Sequence, residues 1–268
     1  MEQTIPAIIH TMWLDKNDMD NEQPPGKYQN YKIYDMAWRQ HHPNAKFWFW
    51  NRRRVETMFQ NQKWQQLFNR ITRIIEKCDV ARYLILYLHG GIYHDLDYLC
   101  YRSLDPLLQR DLLLVREPIE HTENLLPRDD IVVANCILGS RPGHPFWAFL
   151  LDQINEHWRP GKNVLHNTGP DALTKALKQY QQQYQVTVPL LPAQALIPFH
   201  SNGLTRDFQI GSSPTVYGTP IWQDGSGWQQ TGFASTYQWY IWLGVILLVF
   251  VIVLSFQCGR IYQRKILL

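Results

Sequence analysis

Cysteine is scarce in this chain and poorly placed for chemistry: Cys78, Cys100, Cys136 and Cys258 form no Cys-x-x-Cys pair and show no metal-type spacing. That spacing offers no zinc ribbon and gives a disulfide no support while leaving one open, and the four read as free thiols or core residues. Charge of one sign is also in short supply. With 26 Lys and Arg against 23 Asp and Glu, the formal net charge is +3, and no basic block interleaved with aromatics offers a footprint for nucleic acid. No Asn-x-Ser/Thr sequon occurs. Near the amino terminus there is no long apolar run, and Glu2 stands where the basic region of a signal peptide would be, so no such peptide is expected.

What is present suffices for a sizeable core: 45% of the 268 residues are hydrophobic, which suits one large domain. Short β-branched and aromatic runs predict strands at 5–14, 46–50, 92–94, 111–116, 131–135 and 186–188. Apolar residues at helical spacing predict helices at 28–41, 51–70, 71–88, 146–157 and from the Asn167-Thr168-Gly169-Pro170 turn to about 183. Helices interleaved with strands that end in Asp or Asn predict an α/β domain over residues 1–235 with a mostly parallel sheet. Within it, 189–235 is rich in Gly, Pro and Ser and reads as ordered loop. The adjacent His41 and His42 face different ways, make a poor metal site, and read as a surface turn. Arg52, Arg53 and Arg54 read as a solvated face or as a helix-start cluster near phosphate, and His144 as structural.

The chain is organised around residues 78–97. An amphipathic helix is expected to end at Gly90-Gly91, where two glycines supply a cap and a turn that tolerates positive φ. Ile92-Tyr93-His94 then makes a short buried strand that runs into Asp95 and Asp97. At the end of a strand in an α/β sheet, two carboxylates one residue apart can face the ligand crevice. Such hard oxygen ligands suit Mg²⁺ or Mn²⁺, which keep waters and take a substrate's phosphates in their remaining positions. A bare Asp-x-Asp also arises in any acidic turn. Asp79 and Arg82, three apart on the preceding helix, share one face. They make either a surface ion pair or a pair aimed into that crevice, with Arg82 toward phosphate and Asp79 toward sugar hydroxyls.

The run Asp79-x-x-Arg82-Tyr83, Leu86-Tyr87, Gly90-Gly91-Ile92-Tyr93-x-Asp95-x-Asp97 closely resembles the sugar-binding region of glycosyltransferase family 32. That family includes fungal Golgi mannosyltransferases and the mannosyltransferases of inositol phosphoceramide. The resemblance extends to the opening Ile5-Pro6-x-x-Ile9-His10-x-x-Trp13, to Pro142-Gly143-His144-Pro145-Phe146 and to Thr168-Gly169-Pro170, and so covers most of residues 5–230. It implies a GT-A type, Rossmann-like nucleotide-sugar-binding domain and a retaining transfer of a hexose, mannose from GDP-mannose foremost, with Mn²⁺ or Mg²⁺ held by Asp95 and Asp97. By the same resemblance, Arg82 and Asp79 belong to the catalytic set. His10, Trp13, Ser226 and Trp228 join Asp79 and Arg82 in donor binding, with Trp13 against the base and the late Ser226/Trp228 element closing over the donor; Asn135, at the end of its expected strand, is placed either to hydrogen-bond a donor sugar or to cap a turn. One departure is visible: many members carry a histidine shortly before that element, where this chain has Thr219-Pro220.

Residues 237–256 are twenty residues without a charge, enough at about 1.5 Å per residue to cross a hydrocarbon core of about 30 Å. Trp239, Tyr240 and Trp242 belt one end, and Arg260, Arg264 and Lys265 follow the other in a short basic tail, 257–268. A single C-terminal transmembrane anchor is therefore expected, in the Golgi or another endomembrane by resemblance. The basic tail favours a luminal enzyme, while the missing signal peptide and sequons fit one facing the cytosol. An anchor makes a lipid-linked acceptor such as inositol phosphoceramide attractive; a protein-linked glycan as acceptor of mannose or galactose, and a partner membrane subunit, stay open. Two other classes compete. One is a phosphatase with Asp95 as nucleophile, against which stands Leu99 where Thr or Val is usual. The other is a non-catalytic membrane protein that keeps the sugar-binding fold.

Overall fold

Strand β1 (Ile8–Met12) lies between β2 (Lys46–Trp50) and β3 (Gly91–His94), and with β5 (Leu112–Leu113) and β6 (Ile137–Ser140) these make a five-stranded sheet of order β2-β1-β3-β6-β5. The computed structural model describes residues 4–15, 17–24, 31–117, 131–197 and 218–220. Ser226, Trp228, the anchor at 237–256 and the basic tail lie outside the described residues. Among the described residues no helix is long and apolar enough to cross a membrane.

β1 runs parallel to both neighbours, with His10 opposite Trp48 on β2 and opposite Tyr93 on β3. The C-terminal ends of the three strands therefore share one edge, and Trp13, Asn51 and Asp95 follow them there. The rest of the sheet corrects the expectation of mostly parallel strands. β6 (Ile137–Ser140) runs antiparallel to β3, and β5 (Leu112–Leu113) runs antiparallel to β6. The strand expected at 131–135 is only a bridge from Val133 to Arg116, and the ladder forms a few residues later. Gly139 and Ser140 belong to that ladder, paired with β3 on one side and β5 on the other. Gly139 lets Ile92 lie across the strand: a Cβ there would stand 2.5 Å from Ile92 Cδ1 as that side chain is now placed.

Two connections shape the site. Helix α1 (Tyr31–His41) joins β1 to β2, and α2 (Arg52–Phe59), α3 (Gln65–Arg70) and α4 (Ile74–His89) join β2 to β3. The helix expected at 51–70 is split because Asn61 takes a left-handed conformation (φ 65°), which Asn tolerates better than most residues. Asn51 caps α2 by accepting from Arg54 N at 2.9 Å. Arg52, Arg53 and Arg54 pair with Glu56, Asp20 and Glu22 on the solvated side.

Helix α4 is not amphipathic. Val80, Ala81, Tyr83, Leu84, Ile85 and Leu86 are all fully buried, and so are Glu76, Asp79 and Arg82. It passes through the centre of the molecule, with β3 and β6 on one side and α5 (Pro145–His157) and α6 (Val164–Asn167) against it. Its end is the expected one: Gly90 (φ 64°) caps it and Gly91 (φ 87°) opens β3. A Cβ on Gly91 would stand 2.4 Å from the carbonyl oxygen of Ile8, so only glycine lets β3 lie this close to β1.

Past β3, β4 (Tyr98–Cys100) pairs antiparallel with β7 (Gly218–Pro220), Tyr98 opposite Pro220, so Thr219-Pro220 belongs to a ribbon beside the acidic pair. Helix α7 (Pro170–Tyr184) follows α6, and α8 (Ala193–Leu196) follows an extended stretch that replaces the strand expected at 186–188. His42 corrects its sequence reading: it is buried, accepts from Leu104 N at 2.8 Å and bonds Trp38 O at 3.1 Å, which fixes the end of α1. His144 caps α5 through Phe146 N, a structural role as read.

Candidate active site

Asp95 leaves β3 with its backbone still in the sheet, donating from N to Cys136 O at 2.9 Å. Its carbonyl then accepts from Tyr98 N at 3.0 Å. A tight turn, not the two-residue period of a strand, therefore presents Asp95 and Asp97, and both are half-buried. Behind the turn stands an aromatic support that sequence reading missed. Trp38 lies flat on His94, ring centroids 3.9 Å apart and planes 4° from parallel, and donates from Nε1 to Tyr98 O at 2.9 Å. Burial pushes the His94 imidazole down to about 3, so it stays neutral in this stack. Replacing Trp38 with Phe keeps most of the stack but leaves the Tyr98 carbonyl without its donor. The expected loss is about 1–3 kcal/mol of stability, read as a lower urea midpoint at constant slope.

Arg82 is the hub. Its Nη1 lies 3.0 Å from Asp95 Oδ1 and donates to Asn135 O at 2.6 Å, its Nη2 lies 3.3 Å from Asp79 Oδ1, and its guanidinium sits 4.8 Å above the Tyr93 ring. Tyr93 donates its hydroxyl to the same Asp95 oxygen at 2.9 Å. Both contacts fall on Oδ1, which fixes the carboxylate's orientation and leaves Oδ2 outside this pair of bonds. Arg82 and Asp79 are thus a buried ion pair and not the surface pair of the bland sequence reading, with side chains 4% and 3% exposed.

Asp79 is held from three sides. Asn135 donates to Oδ1 at 3.0 Å and Thr168 to Oδ2 at 2.7 Å, with Arg82 beside them. Burial raises its carboxyl to about 6 against the pull of Arg82 and Thr168. Thr168, from the Thr-Gly-Pro motif, thereby links α7 to the centre of the site.

Of the residues singled out in the sequence, the structure brings Asp79, Arg82, Asn135 and Asp95 into one network and puts Asp97 two residues further along the same turn. Trp13, half-buried, follows β1 at the same sheet edge and donates Nε1 to Asp15 at 3.4 Å. His10 lies elsewhere, fully buried under the sheet. Its Nε2 bonds Gly90 O at 2.9 Å and its Nδ1 accepts from Trp50 at 3.1 Å, so both ring nitrogens are taken, and burial lowers its pKa to about 3. Tyr93 and Trp38 are the site residues not singled out from the sequence. Tyr93 lies in plain view inside the central run, but its part depends on the fold placing α4 across β3.

The donor set fits a hard divalent cation. Asp95 and Asp97 supply carboxylate oxygens at a half-buried turn, and burial together with the neighbouring Asp95 pushes the Asp97 carboxyl up to about 7. That mutual repulsion is what a bound cation relieves. Among the described residues no group of three His, Cys, Asp or Glu forms a complete metal cage. A two-carboxylate site of this kind leaves positions for waters and phosphate oxygens.

Comparison with known proteins bears on the same residues. Residues 29–114 match the family described as the glycosyltransferase sugar-binding region containing a DXD motif. An uncharacterized glycosyltransferase of Acanthamoeba polyphaga mimivirus is 26% identical over 187 residues, 66% of each chain. Inositol phosphoceramide mannosyltransferase 2 of Schizosaccharomyces pombe is 27% identical over 68% of this chain and 49% of its own. A mannosyl phosphorylinositol ceramide synthase of Saccharomyces cerevisiae is 30% identical over 67% of this chain and 44% of its own. The matched stretch thus spans about half to two thirds of these relatives' length. Among solved structures, the PaToxG glycosyltransferase is similar at 18% identity with a TM-score of 0.46, over 68% of this chain and 75% of that one. With the Asp95-Leu96-Asp97 turn inside residues 29–114, the chain carries the glycosyltransferase sugar-binding region that contains a DXD motif.

Proposed function

We propose that this chain is a GT-A type glycosyltransferase that moves a hexose, mannose from GDP-mannose, onto a lipid-linked acceptor of the inositol phosphoceramide kind, with retention of configuration and dependence on a divalent cation. The observation that carries the reading is the Arg82 hub: one buried guanidinium holds Asp95 in a single orientation while Asp97 shares its turn. The names of the yeast relatives support mannose and an inositol phosphoceramide acceptor.

Each side chain has a task in this reading. Asp95 and Asp97 would hold Mn²⁺ or Mg²⁺, which would supply charge neutralisation for the departing nucleoside diphosphate. Tyr93 and Arg82 keep Asp95 from rotating, so little reorganisation is needed when the donor arrives. Asp79, locked by Asn135 and Thr168, holds Arg82 in place and sets the floor of the sugar pocket. Trp13 offers its indole face to the base at the sheet edge. The apolar segment 237–256 keeps the enzyme on an endomembrane, where its acceptor resides.

The test uses full-length protein in detergent, supplied with Mn²⁺, a panel of GDP- and UDP-sugars, and inositol phosphoceramide. Consumption of GDP-mannose with formation of a mannosylated lipid is expected, and EDTA should return it to background. If no sugar nucleotide is consumed with or without lipid, the transferase reading is wrong and the fold serves binding alone.

A further inference from the structure

The corner between α6 and α7 holds a second polar cluster that the donor site does not use. Asp171 is fully buried in the first turn of α7, and its Oδ2 contacts both His166 Nδ1 and Lys175 Nζ, the latter at 2.8 Å. Its Oδ1 is buried and takes no hydrogen bond among the described residues. A favourable helix dipole explains an acid in a first turn, but not one buried there with its interactions gathered on a single oxygen. What that arrangement does is orient an imidazole. A carboxylate that accepts from Nδ1–H fixes the tautomer, so that Nε2 carries a lone pair. The His166 side chain is 35% exposed, so this ring is anchored at one nitrogen and partly open to solvent.

Its position ties it to the donor site. The stretch carrying His166 is pinned three times: Asn167 donates to Glu76 at 3.0 Å, Thr168 to Asp79 at 2.7 Å, and Thr174 accepts from Val133 N at 2.8 Å. His166 is two residues from Thr168, so their Cα atoms are at most about 7 Å apart. Thr168 in turn touches the carboxylate that holds Arg82.

We infer that His166 is an acceptor-binding residue: its Nε2 accepts a hydrogen bond from a hydroxyl of a polyhydroxylated acceptor ring, and Asp171 is the positioning residue that holds the imidazole for it. This rests on the transferase reading above and adds where the acceptor is held.

Two conservative variants separate the two ends of the ring. Asparagine in place of the histidine can keep the bond from the Nδ1 position to Asp171 but has nothing at Nε2, whereas glutamine places a polar atom near Nε2. With GDP-mannose and inositol phosphoceramide, His166→Asn should raise the acceptor KM and lower transfer by about tenfold, the worth of one lost hydrogen bond. Mannose release to water in the absence of lipid should stay near the wild-type rate, and His166→Gln should recover part of the transfer. If His166→Asn restores full transfer and His166→Gln does not, the pair is structural and the inference is overturned. An unchanged ratio of transfer to hydrolysis in both variants overturns it too. Absence of both activities from the wild-type protein would defeat the transferase reading itself, and the acceptor assignment with it.

Discussion

Replacing Arg82 with methionine is expected to destabilise the protein by about 3–5 kcal/mol and to abolish sugar-nucleotide turnover. The size follows from what the guanidinium leaves behind. Asp79 would stay 2% exposed with its charge facing Asn135 and Thr168 but no cation, and Asp95 would lose the guanidinium and keep the Tyr93 hydroxyl. An uncompensated buried carboxylate costs far more than the ion pair contributes, because both charges were already removed from water. Lysine is a poor substitute: a single ammonium cannot reach Asp79, Asp95 and the Asn135 carbonyl in the planar pattern of a guanidinium. Adding Asp79→Asn to Arg82→Met should return part of the lost stability while activity stays absent, since the orphaned charge is gone but Asp95 is still loose. Urea unfolding of the two single variants and the double variant measures this as a coupling energy. A methionine variant within about 1 kcal/mol of wild type would show that Arg82 is not the hub.

The helix–Gly-Gly–strand–acid run could be read from residues 71–97 because each step has a local cause: helical spacing, a glycine cap, β-branched residues, then carboxylates. The 46–50 strand was legible for the same reason and is observed at Lys46–Trp50. Less visible were features decided by packing between distant segments. Whether α4 lies on the surface or through the centre depends on α5 and α6 covering its second face, and only then do Asp79 and Arg82 become a buried pair. Likewise nothing near Gly139 in sequence shows that Ile92 will lie across it. His42 looked like a surface residue because nothing nearby in sequence shows that Leu104 N will meet its ring. Of the residues the central motif singled out, Asp79, Arg82 and Asp95 meet in one network. The bonds around them were not legible in the sequence, because Thr168 reaches Asp79 across 89 positions and Asn135 across 56.

Asp97→Asn should lower turnover by about 10²–10³-fold, the scale on which a single electrostatic contact to a developing charge counts. It should also remove a pH dependence that the wild-type protein shows. Asp97 has its carboxyl raised to about 7 by burial and then by Asp95, against an ordinary value near 4. Metal binding requires the carboxylate, so the proton competes with the cation below about pH 7. Mn²⁺ affinity measured by calorimetry should therefore be nearly flat above pH 7 and fall by about tenfold per pH unit beneath it, as one proton is displaced for each ion bound. The sign for the metal-free fold is opposite. A carboxyl whose folded pKa is raised supports the fold when protonated, and that support is lost as the pH rises through about 7. Without metal, the Asp97→Asn variant should thus match or exceed wild type in thermal stability at pH 8, with the difference closing toward pH 4. With Mn²⁺ the order should reverse at pH 8, because only wild type gains from the ion. If Mn²⁺ binds wild type and variant alike, or its affinity does not change between pH 5.5 and 8, the cation is not held by Asp97.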